Sequence, residues 1–146
     1  MDVLLNITGI ARSDTEDVSE SLVRGQYYKK DDDYYLFYDG VDDETPQLIT
    51  HHRIIVREGK RVEVQRTGAI RTTMIIVPGE LNQCNYSTPY GVLLLDFWGV
   101  SLSVEEREFG VRIEMEYEIR IDNLVVSHNT LILDATAVPE EMTEEA

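Results

Sequence analysis

The chain has 146 residues, of which 28 are acidic and 13 are basic, so its formal net charge is −15. A chain of this length is most simply one domain, and such a domain buries roughly 70% of the surface that its unfolded chain exposes. Because so acidic a surface repels phosphate groups, the composition argues against general binding to nucleic acids or to anionic membranes.

The cysteine content and the first residues predict a cytoplasmic protein. Cys84 is the single cysteine, so no disulfide can form within the chain. Residues 1–6 carry an acid where a signal peptide has a base, and their apolar run is interrupted almost at once. We therefore expect neither export nor a membrane anchor, and a reducing compartment suits the free thiol.

Alternation of apolar and polar residues predicts strands throughout the first half of the chain. The first strand pattern covers residues 3–11, and a hairpin joins residues 19–30 to 34–38 through three consecutive aspartates. Residues 39–46 lack any periodicity and are expected to form a mobile loop. Further strand patterns follow at residues 48–57, 61–67 and 70–77.

In the second half, a proline and a glycine mark a bend. Residues 81–87 lead into Pro89 and Gly91, which suit a bent entry into the apolar run at residues 92–98. A shorter strand is predicted at residues 101–108, beyond Gly99. We expect the bend to direct Tyr90 and the following strand into the interior of the fold.

The clearest periodicity lies near the end of the chain. In residues 111–121 every odd position is apolar or aromatic and every even position is charged, which is typical of a strand with one wet face. Asp122 and Asn123 suit a tight turn into a partner strand at residues 124–134. The apolar phase changes within that partner, so a bulge is expected near His128 and Asn129.

About ten strands joined by short turns, with no convincing helix, predict an all-β fold. An antiparallel up-and-down β-barrel is the expected architecture, because closure removes the exposed edges of such a meander. The barrel is expected to be one domain over residues 1–136. Residues 137–146 form an acidic tail that we expect to be disordered.

Several sequence elements resemble those of the YwiB-like family of bacterial proteins. The resemblance rests on Gly25-Gln26-Tyr27-Tyr28, Tyr35-Leu36-Phe37-Tyr38, Arg66-Thr67-Gly68 followed by Met74, Tyr86-Ser87-Thr88-Pro89-Tyr90-Gly91 and the last hairpin. It covers about residues 3–134. The resemblance implies a lipocalin-like, or calycin, β-barrel in a cytoplasmic bacterial protein, and it implies no reaction because the family is of unknown function.

The sequence does not indicate an enzyme or a metal protein. Cys84 stands alone, the three histidines do not form a motif with it, and no Gly-x-Ser-x-Gly sequence occurs. His51 and His52 are neighbours on a strand, so they point to opposite faces and cannot chelate one ion. The acidic groups at residues 31–33 and 39–44 could meet at one barrel end, but they lack the calcium-loop pattern and are better explained as solvated turns. We expect no catalytic residues, no bound metal and no cofactor.

Arg66 is the residue that most strongly suggests a ligand. On an unbroken strand it shares a face with Val62 and Val64, so it points toward the interior or the mouth of the barrel. A buried guanidinium needs an acidic partner, water or an anion. The simpler interpretation is an ion pair at the rim with one of the 28 acids.

The leading hypothesis is a ligand-binding or ligand-sensing barrel for a small apolar or anionic molecule. Its predicted ligand-binding residues are Arg66, Tyr90, Tyr117 and Trp98. The alternative is a structural or protein-interaction module whose barrel is filled by inward side chains such as those at positions 93, 97, 113, 115 and 117. In that module the tyrosines of the first hairpin or a strand edge would form the contact surface. The tyrosines suit a pocket mouth, an interface or an ordinary barrel wall.

Overall fold

A computed structural model describes residues 1–41 and 47–138, with the backbone alone for Val41 and Thr88. Its regular structure consists of ten strands. They are β1 (Asp2–Arg12), β2 (Glu16–Lys30), β3 (Asp33–Val41), β4 (Ile49–Arg57), β5 (Arg61–Gly68), β6 (Thr72–Ile76), β7 (Leu81–Thr88), β8 (Gly91–Arg107), β9 (Gly110–Ile121) and β10 (Leu124–Ala137). The predicted all-β fold of about ten strands is confirmed. Residues 139–146 of the predicted disordered tail and 42–46 of the predicted mobile loop lie outside the described residues, whereas Ala137 ends β10 and residues 39–41 belong to β3.

The strands form one antiparallel sheet that curls into a nearly closed barrel. The sheet order is β6-β5-β4-β3-β2-β1-β10-β9-β8-β7, so the first and last strands pair in its middle, from Val3 opposite Ala137 to Arg12 opposite His128. The two edge strands, β6 and β7, meet at a seam. Backbone hydrogen bonds of 2.9 Å in both directions between Arg71 and Ser87 hold one end of this seam.

The strict alternation near the end of the chain produces the predicted strand and turn. Val111, Ile113 and Met115 of β9 are fully buried, because every second residue of a strand points to the same face. The turn after β9 places Asp122 and Asn123 at φ values of 52° and 65°, a conformation that these two residue types tolerate. The strand predicted at residues 111–121 and the tight turn predicted at Asp122 and Asn123 are therefore both present.

Two predicted interruptions of strands are placed differently by the structure. Gly99 does not end a strand, because β8 continues through it with an irregularity between Gly99 and Ser101. A Cβ at position 99 would lie 2.1 Å from the carbonyl oxygen of Val77, so glycine permits this close approach at the seam. The bulge in β10 is real, but it lies between Val125 and Ser127 rather than at His128 and Asn129.

The barrel has two different ends. The packed end carries the turns at 31–32, 58–60, 77–80 and 108–109, and the open end carries those at 13–15, 69–71, 89–90 and 122–123. Inward side chains near the packed end are 0–2% exposed; they are Val3, Leu5, Leu36, Ile54, Val56, Val62, Val64, Met74, Ile76, Phe97, Val111, Ile113, Met115, Leu133 and Ala135. Burial of one such side chain contributes about 1.5–3 kcal/mol, so this half is the stabilising core.

Polar side chains bridge the packed end outside that core. The Lys29 Nζ atom lies 3.2 Å from the Glu106 carboxylate, which also accepts a hydrogen bond of 3.3 Å from the Tyr34 hydroxyl. These contacts join the β2–β3 hairpin to β8 across the barrel. They therefore help to close the packed end of the barrel.

Candidate ligand site at the open end of the barrel

Inward positions at the open end are accessible to solvent. Leu93 points inward on β8, in phase with the buried Phe97, yet it is 56% exposed. Ser19 and Ser21 of β2 share the inward phase of Val3 and Leu5 and are also exposed. Because the inward side chains of the packed end are fully buried, the interior is filled at one end only.

A partly open cavity of about 210 Å³ lies at this half of the barrel, against β1, β2, β9 and β10, and Arg66 is not among its lining residues. Its lining includes Gly9 and Ser19 from the β1–β2 hairpin, together with Tyr117, Asn129 and Leu131 from β9 and β10. The small side chains at positions 9 and 19 leave the space that a larger inward residue would fill. The ring of Tyr117 packs on Phe97 at a centroid distance of 5.8 Å, so it forms the boundary with the core.

Four inward residues form a row across β3, β4, β5 and β6. Tyr38 pairs with His52, His52 pairs with Arg66, and Arg66 pairs with Thr72 in the strand register. The neighbouring inward row toward the packed end is Leu36, Ile54, Val64 and Met74, all buried. The polar row therefore lies directly on top of the hydrophobic core.

Arg66 is the only member of this row that is charged at neutral pH. Its Nη1 atom donates a hydrogen bond of 3.4 Å to the Tyr86 hydroxyl, and its buried Nε–H has no hydrogen-bond partner among the described residues. Within residues 1–41 and 47–138 no carboxylate oxygen lies within 4.0 Å of the guanidinium; the acids at positions 42–44 lie outside the described residues. A buried donor without a partner favours binding of water or of an anion.

His52 remains neutral beside Arg66. Burial, and then the positive charge of Arg66, lower the pKa of His52 from 6.5 to about 4. Its ring stacks on Tyr38 with centroids 4.4 Å apart and planes within 3° of each other. Its Nδ1 atom is buried and, within the described chain, has no hydrogen-bond partner.

Tyr38 and Tyr117 keep their protons. Burial raises the pKa of Tyr38 and of Tyr117, although the charge of Arg66 opposes the shift in both. Their hydroxyl groups can therefore donate hydrogen bonds at neutral pH. Together with Arg66 they supply one positive charge and several neutral donors, an arrangement that suits a carboxylate or a similar small anion.

The same residues do not supply an activated nucleophile. Burial raises the pKa of the Cys84 thiol, and the Thr72 hydroxyl donates to its sulfur at 3.5 Å. A protonated, buried thiol is inert. Within the described residues, no group of three or more histidine, cysteine, aspartate or glutamate side chains could hold a metal ion.

The structure places two of the four predicted ligand residues inside the barrel. Arg66 is on the inward face with Val62 and Val64, and Tyr117 lines the cavity. Tyr90 is 99% exposed in the turn before β8, so the expectation that it points inward is wrong. Trp98 was also misplaced: it alternates with the inward Phe97, and the guanidinium of Arg120 lies 5.1 Å from its ring on the outer face.

Sequence reasoning missed Tyr38, His52 and Tyr86 as members of the site. Tyr38 belongs to a hairpin whose tyrosines divide between faces, since Tyr28 and Tyr35 stack on the outside with centroids 4.6 Å apart. His51 also lies outside, 2.7 Å from Asp39, which agrees with the predicted opposite orientation of His51 and His52. The phase of His52 relative to Ile54 could have identified it as inward.

The described members of the two acidic groups lie at opposite ends of β3. The turn at Asp31 and Asp32 lies at the packed end, where Asp33 pairs with Arg57 at 3.2 Å. Asp39 lies toward the opposite end of β3. The remaining acids of the second group, at positions 42–44, lie outside the described residues.

Exposed apolar side chains lie along one side of the open end, at the turn before β8 and at the turn between β9 and β10. This apolar rim comprises Tyr90, Val92, Leu93, Leu94, Ile121, Leu124, Val125 and Val126, which are 41–99% exposed. Residues 92–94 were expected to belong to a buried central strand. They pair with β7 but are exposed, because β8 pairs with β9 only from Asp96 onward among the described residues.

The fold and this site define a nearly closed antiparallel β-barrel with an unfilled, tyrosine-lined cationic end. A family profile described as "Domain of unknown function (DUF1934)" matches residues 5–133, and the chain belongs to that family. Among solved structures it is similar to the crystal structure of the ywiB protein from Bacillus subtilis, with 22% sequence identity and a TM-score of 0.82. That match covers 94% of this chain and 92% of the other, and it supports the fold alone.

No curated protein matches the chain in sequence. The described part of the chain contains no helix that is long and apolar enough to cross a membrane.

Proposed function

We propose that this protein is a non-catalytic, lipocalin-like barrel that binds or senses a small amphipathic anion in the cytoplasm. The observation that carries the proposal is the buried Nε–H of Arg66, which has no hydrogen-bond partner within the described chain. A carboxylate placed there would accept from Arg66 and from a nearby tyrosine hydroxyl. Hydrogen bonds to a charged group contribute about 1.5–3 kcal/mol each.

The apolar part of such a ligand would extend toward the open end. The apolar rim supplies exposed aliphatic contacts at Leu93 and Leu124, which share the inward phase of Phe97 and Ile119. Covering apolar surface contributes about 25 cal/mol per Å². The cavity beside Tyr117 is about 210 Å³, which is below the roughly 300–1,000 Å³ of drug-sized sites, so a small ligand fits best.

The competing function is a protein-interaction module with a filled barrel. Ile113, Met115 and Phe97 do fill the packed end, as that alternative requires. Leu93 is largely exposed and Tyr117 borders a cavity, so the filling stops at the polar row. This division of the interior favours the ligand proposal.

Native mass spectrometry of freshly purified protein, followed by thermal shift, tests the proposal. We expect a co-purifying small molecule, or stabilisation by octanoate or decanoate that decanol does not reproduce. Arg66→Met should abolish the stabilisation, whereas Arg53→Met, on the outer face over Phe37, should retain it. A wild-type protein with no co-purifying molecule and no thermal shift across small carboxylates would leave the interaction module as the better explanation.

A further inference from the structure

One long segment of β2 lies at an unpaired sheet edge. β2 pairs with β1 along its length, from Gln26 opposite Asp2 to Glu16 opposite Arg12, but it pairs with β3 only from Gly25 to Lys30. Residues 16–24 thus have no strand partner on the β3 side among the described residues. A cleft of about 590 Å³, bordered by Arg24 and Tyr38, marks where the two strands separate.

Charged side chains at Glu16, Asp17, Glu20 and Arg24 are the protection that this edge has against pairing with another chain. Residues 16–22 are exposed on both faces, and the segment contains neither proline nor lysine. Val18 and Leu22 are 61% and 68% exposed on its outer face. An edge of nine residues that has no partner in the described chain and carries exposed aliphatic side chains can serve as a template for strand addition.

The charges of the segment suit pairing with itself. In an antiparallel register centred on Glu20, Glu16 lies opposite Arg24 and Val18 lies opposite Leu22, and each pair occurs twice. The guanidinium of Arg24 has no carboxylate within 4.0 Å in the described part of the chain, and Glu16 contacts only Arg12, through a solvent-exposed pair at 2.8 Å. Both ends of the segment therefore carry a complementary charge that is available to a second copy.

We infer that residues 16–24 form a two-fold interface with the same segment of a second copy of this chain. The contact is isologous, so it closes at two subunits. The edge is then hydrogen-bonded and is not available to a third copy. It joins two barrels through main-chain hydrogen bonds and covers Val18 and Leu22. The two Glu20 side chains meet at the two-fold axis, where like charges oppose the contact.

Charge substitutions test the register. Arg24→Glu places acids opposite acids at both ends, and we expect it to weaken the dimer about tenfold in sedimentation measurements. The double variant Glu16→Arg/Arg24→Glu should restore the dimer affinity to near the wild-type value. The single variant Glu20→Gln should tighten the dimer. Leu22→Lys should abolish dimers without loss of the barrel, because position 22 is exposed.

A disulfide between copies gives a second, independent measurement. Glu20→Cys should form a covalent dimer under mild oxidation, since the two positions meet at the axis, whereas the native Cys84 is buried. Glu116→Cys, on an exposed position of an interior strand, is the matched control and should remain monomeric under the same conditions. A wild-type protein that stays monomeric up to about 0.1 mM, or a dimer that survives Leu22→Lys, would overturn the inference. Capture of an unrelated extended peptide by a monomeric chain would overturn it as well.

Discussion

Arg66 donates a hydrogen bond of 3.4 Å to the hydroxyl of Tyr86 across the seam between β6 and β7. The two strands share only a few backbone hydrogen bonds there, so a side-chain contact helps to join the sheet edges. The Nε–H of the same guanidinium is buried and has no hydrogen-bond partner in the part of the chain that the structure describes. One residue therefore contributes both to the closure of the barrel and to the proposed anion site.

Arg66→Met should leave the free energy of unfolding unchanged or raise it by up to about 1 kcal/mol. The substitution removes a desolvated charge and keeps an apolar side chain of similar volume, which is often neutral or stabilising. Urea denaturation of this variant, with Arg53→Met as the exposed control, measures the effect. A loss of about 3 kcal/mol or more would instead indicate a broken buried ion pair, with an acid outside the described residues as its partner.

The inward position of Arg66 followed from sequence because Val62, Val64 and Arg66 alternate on a short regular strand. The strict alternation of residues 111–121 likewise predicted β9. Trp98 was misplaced because residues 92–98 are almost uniformly apolar, so their pattern does not show which face is inward. Tyr38 and Tyr86 were missed because their proximity to Arg66 depends on strand register and barrel closure, which alternation within one strand does not specify.

His52 should make stability fall as the pH is lowered from about 6.5 to about 4. Its pKa is lower in the folded chain than the ordinary value of 6.5, so the unfolded chain binds a proton first and gains stability relative to the folded one. The loss from this group is about 3 kcal/mol at most. His52→Phe keeps a ring to stack on Tyr38 and cannot titrate.

The difference between wild type and His52→Phe isolates this effect from the many carboxylates. Urea denaturation of both proteins at several values of pH in that window should show a shallower loss for the variant. Parallel stability curves would contradict a buried neutral histidine. Addition of an anion beside Arg66 should also raise the pKa of His52, which its ring resonances would report.

Phe97→Ala and Leu93→Ala should differ strongly although both positions lie on the inward face of β8. Phe97 is 2% exposed in the packed core, so its truncation should cost about 3–5 kcal/mol. Leu93 is 56% exposed at the open end, and its truncation should cost less than about 0.5 kcal/mol. Equal losses in urea denaturation would mean that the barrel is filled at both ends.

Gly99→Ala should destabilise the barrel by about 1–3 kcal/mol, because the added Cβ would meet the Val77 carbonyl at 2.1 Å. Amide exchange of Gly79, which donates to the Gly99 carbonyl at 2.9 Å, should accelerate with it. Gly59→Asn is the control: φ is 68° there, no atom lies within 4 Å of an added Cβ, and asparagine tolerates the conformation. Unchanged exchange at Gly79 would show that Gly99 does not close the seam.

The side-chain Nε–H resonance of Arg66 tests the central claim most directly, because this buried donor is the one we assign to an anion. It can be assigned by its absence from the spectrum of Arg66→Lys. Titration with decanoate should shift this resonance in saturable fashion, and decanol should not. If decanoate shifts only the resonances of the apolar rim and leaves the Arg66 Nε–H resonance unchanged, the proposed anion site is contradicted.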